Sequence, residues 1–238
     1  MTANEGTRRE KRGRQLSLPT MMRLSDCAVR FLLTAVLAGA ELMGGHSLFA
    51  LSLVAVCRPG LEGLAALLGA ALGYLSFRGV LEGLRYIAAS MMVYAVALAM
   101  GEFQLYHRPW FMPAVAAALN GMVGFVYQSA AGWSRGAAVG FATEIVLTAG
   151  AVVLYREALD LWEKRRPGGE IAVRQLAGAI ALCASLMMTL TRVNVAGAYS
   201  LGRVLCVGVV LIAAWRGFYN RHRKRSNVFA DLRGYVLI

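Results

Sequence analysis

In "GFATEIVLTAG", Gly140 to Gly150, one residue can ionise: Glu144, set in an otherwise apolar or small-residue run. A carboxylate in such surroundings has two uses. Neutral or paired, it fixes the register of neighbouring helices; titrating, it relays a proton or an ion. Asn120, Tyr127 and Arg203 are its candidate partners, and the residues alone do not choose among them. As a packing residue, Glu144 should tolerate Glu144→Gln, because the amide keeps shape and hydrogen-bonding capacity. Other chemistry finds little support. "GHS" at Gly45 to Ser47 has no evident carboxylate partner and no second His, which argues against a metal or nucleophile centre. Cys27, Cys57, Cys183 and Cys206 form no C-x-x-C pair and read as small apolar residues. Asp26, Asp160 and Asp231 are isolated, and no H-E-x-x-H, P-loop or G-x-S-x-G occurs. The expectation is no catalytic residue, no metal and no cofactor.

The elements that must position Glu144 follow from composition. Of 238 residues 58% are hydrophobic and 16% charged, with a mean hydropathy of +0.55, far from the balance of a soluble domain. Successive apolar runs approach the roughly 20 residues needed to cross about 30 Å of hydrocarbon. They predict spans near 29–44, 47–57, 61–77, 84–101, 111–129, 136–155, 173–190 and 201–217; the second is short enough to be tilted or re-entrant. The expected fold class is all-α, a polytopic transmembrane helix bundle of about eight spans. "AGA" (Ala38 to Ala40) after a basic leader mimics a signal-peptide cleavage site, but an uncleaved first helix explains the further spans better.

The formal net charge of +12 is concentrated in "RREKRGR" (Arg8 to Arg14), in "EKRRPGGE" around Lys164 to Arg166, and in "RHRKR" (Arg221 to Arg225). Basic clusters beside apolar runs read as topology signals and contacts to anionic lipid, not as a nucleic-acid face. The head-group contacts are assigned to Arg8, Arg9, Lys11, Arg12 and Arg14 and to Arg221, Arg223, Lys224 and Arg225. In an eight-span layout 20 of the 25 Lys and Arg fall inside, against Arg78, Arg85, Arg135, Arg192 and Arg203 outside. Both termini are therefore expected in the cytoplasm. The organisation is a disordered basic cytoplasmic leader at 1–24, a transmembrane domain at 25–217 with a cytoplasmic loop near 156–172, and a basic cytoplasmic tail at 218–238.

Inside a bilayer, small residues four apart mark faces where helices meet. Ala65, Gly69 and Gly73 form one such stripe and Gly136 and Gly140 another, which continues to Glu144 and turns it toward neighbouring helices. Glu41, Glu62 and Glu82 lie near span ends and read as interfacial anchors. Trp110, Trp133, Trp162 and Trp215, with Tyr86, Tyr106 and Tyr155, fall near span ends as an aromatic belt.

Four pieces carry a family likeness. "LMGGHSLFALSLVAVCRPGLEGLAALLGAALGYL" (Leu42 to Leu75) and "LEGLRYIAASMMVYAV" (Leu81 to Val96) are followed by "TEIVLTAGAVVLYREAL" (Thr143 to Leu159) and "YSLGRVLCVGVVLIAAWRG" (Tyr199 to Gly217). In pattern and order they resemble the N-terminal membrane region of stage II sporulation protein E of endospore-forming bacteria, over residues 25–217. The resemblance implies a membrane anchor. In that family the anchor precedes a cytoplasmic region that self-associates and engages the tubulin-like division protein, and then a metal-dependent PP2C-type serine phosphatase. It implies that this chain corresponds to the membrane part without the phosphatase, localised at the septal membrane. The implied partners are membrane lipids, other copies of itself, and cell-division and sporulation proteins. A small secondary transporter or channel with Glu144 in its pathway is the alternative.

Overall fold

The computed structural model describes residues 18–42, 45–163, 172–192, 194–195 and 199–200, with further positions at 202, 206–208, 210–211 and 215. Its helices are α1 (Leu18–Leu37), α2 (Phe49–Val56), α3 (Leu61–Met100), α4 (Phe111–Ala131), α5 (Arg135–Glu163) and α6 (Val173–Leu190). Two-residue strands β1 (Asn194–Val195) and β2 (Tyr199–Ser200) pair antiparallel. Turns and loops at 38–42, 45–48, 57–60, 101–110 and 132–134 join the helices. The chain divides into two compact units, residues 1–185 and 186–238. In the second, Gly202 lies directly against the backbone of Leu190 and Thr191. The candidate site lies in the first.

Two glycines set the helical hairpins of that unit. α3 runs for 40 residues, but Gly79 within it has φ 75° and ψ −177°, a conformation that a side chain would strain. The chain reverses there. A Cβ on Gly83 would stand 3.0 Å from the Tyr74 carbonyl, and the Tyr74 and Tyr86 rings stack with centroids 5.2 Å apart. Each half of α3 is about 30 Å long at 1.5 Å per residue. Gly132 (φ 92°) ends α4, donating its N–H to the Gln128 carbonyl, and three residues later α5 begins. Ser134 Oγ accepts the Ala137 N–H at 3.2 Å and so caps the new helix.

Contacts between elements give their directions. Arg30 pairs with Glu62 at 3.0 Å, Phe31 and Thr34 press on Gly69, Ala35 presses on Gly73, and Glu41 pairs with Arg78 at 2.6 Å. Residue numbers rise together, so α1 and the first half of α3 run the same way and α2 returns between them. The second half of α3 runs back: the Tyr86 hydroxyl accepts from Ser47 N, and the Tyr94 hydroxyl donates to the Gly60 carbonyl. α4 and α5 are antiparallel, because Gly124 meets Phe141, Gly121 meets Ile145 and Asn120 meets Thr148.

At the centre lies α2, with Ala50 through Ala55 buried. Eight residues reach only about 12 Å, so α2 is a core helix enclosed by the others and does not cross hydrocarbon by itself. Leu51 and Ala55 of α2 join Ala89, Val93, Phe111 and Val152 in one apolar core.

Among the described residues, four helices are long and apolar enough to cross a membrane: α3, Phe111–Ala130 of α4, Arg135–Trp162 of α5, and α6. Their outer faces are apolar and exposed, with Leu64, Leu68 and Leu72 on α3 and Val139, Val146 and Val153 on α5. Such faces suit hydrocarbon and not water. The spans expected at 61–77 and 84–101 fall in the two antiparallel halves of α3, which meet at Gly79, and the one expected at 47–57 is the enclosed α2. The first helix covers Leu18–Leu37 in place of 29–44. Most of 201–217 falls outside the described residues.

Candidate functional site

Glu144 is 1% exposed and sits where three helices and one loop converge. α5 supplies Glu144 and, one turn on, Thr148. The two halves of the α4–α5 hairpin bring Asn120 alongside, and the returning half of α3 brings Arg85 and Tyr86. The loop after α1 brings His46. That loop is held by its own backbone: Leu42 and His46 exchange N–H···O bonds of 2.9 and 3.1 Å. Its far end is fixed by tyrosines. Tyr74 donates its hydroxyl to the Ser47 carbonyl at 2.9 Å, Ser47 N donates to the Tyr86 hydroxyl at 3.1 Å, and Ser47 Oγ donates to the Ala38 carbonyl at 2.8 Å.

The carboxylate uses both oxygens. Arg85 Nη2 donates to Oε2 at 2.8 Å, and His46 Nδ1 lies 2.7 Å from the same oxygen. A carboxylate oxygen only accepts, so the proton of the imidazole belongs on Nδ1. Asn120 Nδ2 donates to Oε1 and to Thr148 Oγ1, both at 3.2 Å, and Thr148 Oγ1 donates back to the Glu144 carbonyl at 2.7 Å. Arg85, its side chain 9% exposed, lies over the rings of Tyr86 and Tyr127 at 5.0 and 5.6 Å. Charge-assisted bonds and ring faces together offset the desolvation of the guanidinium. The pairing is incomplete, because Arg85 Nε and Asn120 Oδ1 are buried without a hydrogen-bond partner among the described residues.

A second ion pair sits beside the first. Arg78, its side chain 3% exposed, reaches Glu41 at 2.6 Å and Glu82 at 3.6 Å. Glu41 and Glu82 are partners of Arg78, and Glu62 is the partner of Arg30. Two tyrosines expected in the aromatic belt are also internal. Tyr86 is buried against Tyr74, and buried Tyr155 donates to Ser185 Oγ at 2.6 Å. Trp110, Trp133, Trp162 and Trp215 are exposed.

Of the expected partners, Asn120 reaches Glu144, Tyr127 acts on Arg85, and Arg203 lies outside the described residues. Gly69 and Gly73 lie directly against the α1 backbone, Gly140 faces the His46 ring, and Ala65 is half-buried. Gly136 is exposed with open space around it. Arg8, Arg9, Lys11, Arg12, Arg14, Arg221, Arg223, Lys224 and Arg225 lie outside the described residues.

Sequence reasoning missed His46, Arg85 and Thr148. "GHS" was expected to lack a carboxylate, and Glu144, 98 residues away, supplies it. Arg85 carried a signal: it stands in "LEGLRYIAASMMVYAV" at the entry to an apolar run, where a guanidinium needs an anion. The cluster can hold charge, fix helix register and pass a proton between Glu144 and His46. Among the described residues no group of three His, Cys, Asp or Glu side chains is placed to hold a metal ion. Set against family models, curated proteins and solved structures, the chain matches none.

Proposed function

We propose that the chain is a non-catalytic integral membrane module, a multi-pass bundle of the plasma membrane with both termini in the cytoplasm. By its resemblance to stage II sporulation protein E, it serves as an anchor that localises a serine phosphatase at the septal membrane and supports self-assembly. The observation that carries this reading is the Glu144 cluster. Its one buried carboxylate is occupied by Arg85, His46 and Asn120, each from a different element, as a lock on helix register requires. Charge distribution supports the orientation. Arg58, Arg108 and Arg156 lie at the end of the bundle where α2 finishes, α4 begins and α5 finishes; Arg135 lies at the other end, where Arg78 and Arg85 are consumed by buried pairs. About eight membrane-embedded segments, with α2 enclosed, complete the layout. A fluorescent fusion tests the reading: it should label the membrane uniformly in vegetative cells, and the septum in sporulating cells only when the cytoplasmic phosphatase region or a full-length partner is supplied. Soluble fluorescence would overturn the membrane assignment, and phosphoserine hydrolysis by the purified chain would overturn the absence of catalysis.

A second reading draws on the unpartnered Arg85 Nε and Asn120 Oδ1 and on His46, whose side chain is 24% exposed. Spare hydrogen-bonding capacity beside a carboxylate that reaches the surface through an imidazole suits a proton relay of a small transporter. Proton flux in proteoliposomes, abolished by Glu144→Gln, would establish it.

A further inference from the structure

A cavity of about 520 Å³ opens at the opposite end of the unit from His46, where the α2–α3 turn, the α3–α4 loop and the end of α5 meet. This is within the range of about 300–1,000 Å³ that small ligands occupy. Its floor is apolar, made by Val56, Met112, Val152 and Leu159. Its rim is polar and mostly basic, carrying Arg58, Arg156, His107 and the Tyr106 hydroxyl, with Asp160 as the one carboxylate. Arg58 and Asp160 have partners of their own, which leaves Arg156 as the principal cation facing the space. Two exposed tryptophans mark the depth of this end. Trp110 directly precedes α4 and Trp162 lies two residues beyond Asp160, and indole rings prefer the head-group layer.

We infer that this cavity binds the phosphate head group of an anionic phospholipid, with the phosphate against Arg156 and Arg58 and the glycerol and upper acyl carbons on the apolar floor. A phosphate ester alone would satisfy Arg156; the apolar floor at tryptophan depth favours the lipid. Basic pockets between membrane helices bind such head groups through charge. The Tyr106 phenol, pushed upward by its burial although Arg156 pulls it down, keeps its proton and donates to the same anion. This site is separate from the basic tails, and it rests on the membrane reading, whose own failure would show as a chain recovered from cells without detergent.

The test is thermal unfolding of the full chain in neutral detergent with phosphatidylglycerol, phosphatidylcholine or inorganic phosphate titrated in. Phosphatidylglycerol should stabilise the chain and phosphatidylcholine should not. Arg156→Gln should weaken the effect about fivefold and Arg58→Gln/Arg156→Gln further, while Arg135→Gln at the other end should leave it unchanged. Asp160→Asn should strengthen it, a gain that misfolding does not mimic. Equal stabilisation by phosphatidylcholine, or an undiminished phosphatidylglycerol effect in the double variant, would overturn the site. Inorganic phosphate acting as well as the lipid, and failing in the double variant, would overturn the lipid as the source and assign a soluble phosphate ester.

Discussion

Glu144→Gln separates a neutral packing residue from a member of a charge pair. Were the carboxyl neutral, the amide would replace it with little loss, which is the expectation from sequence alone. The structure raises the cost. Arg85 donates to Glu144 Oε2 at 2.8 Å from a side chain only 9% exposed, so the variant leaves a guanidinium enclosed without its anion. Removing one partner of a buried pair costs about 3–5 kcal/mol. The glutamine oxygen still accepts from Arg85 and recovers about 1 kcal/mol, and the Tyr86 and Tyr127 rings contribute equally before and after. The net loss is about 2–4 kcal/mol, or roughly 5–15 °C in unfolding midpoint for a chain of this size. The assay is thermal unfolding in detergent of Glu144→Gln, Arg85→Gln and the double variant, with insertion checked by membrane fractionation. The double variant should be milder than the sum of the singles by at least about 1.5 kcal/mol. Strictly additive costs, or a Glu144→Gln chain within about 0.5 kcal/mol of the parent, would refute the pairing as the source of stability.

Gly69→Val places a branched side chain where the Phe31 carbonyl and Thr34 Oγ1 already stand; it should cost at least about 3 kcal/mol, while Gly136→Ala, with open space around it, should be neutral in the same unfolding assay. Tyr74→Phe removes a hydroxyl that donates to the Ser47 carbonyl and accepts from Leu51 N; the loss should be about 1–3 kcal/mol, with faster proteolysis of the loop carrying His46. Burial raises the Tyr106 phenol above its ordinary 10.0, so the folded chain holds that proton more tightly than the unfolded chain does. This contribution is complete below pH 10 and is lost as pH climbs through the folded value. Tyr106→Phe should therefore flatten the alkaline limb of stability against pH, read from denaturant midpoints.

Hydropathy located helices well where packing and lipid ask for the same residues. The expected span 173–190 coincides with α6 and 111–129 lies within α4. It failed where hydrogen bonding sets the ends: α1 runs through Arg23, Asp26 and Arg30 because charges at a helix end do not stop a backbone ladder. It also failed at α2, whose apolarity reflects enclosure by protein on every side. Along the stripe of small residues Gly140 faces the His46 ring and Glu144 is buried, while Gly136, one turn nearer the end of α5, has no neighbour within 4 Å of a Cβ. The partners of Glu144 were legible only in part. Arg85 and His46 lie 59 and 98 residues away and meet it because Gly79 reverses α3 and α2 returns between α1 and α3. Nothing local in the chain announces those two folds, so Arg85 read as a loop charge and His46 as an isolated imidazole.

A membrane-embedded bundle with opposite ends on opposite sides is tested most directly by thiol labelling. The four native cysteines would be replaced by alanine, and one new cysteine placed either at exposed Ser134, between α4 and α5, or at exposed Gln104, between α3 and α4. An impermeant maleimide should label Ser134→Cys in intact cells and Gln104→Cys only after permeabilisation. Labelling of both positions in intact cells, or of neither until the cells are opened, would contradict a bundle that crosses the membrane between them.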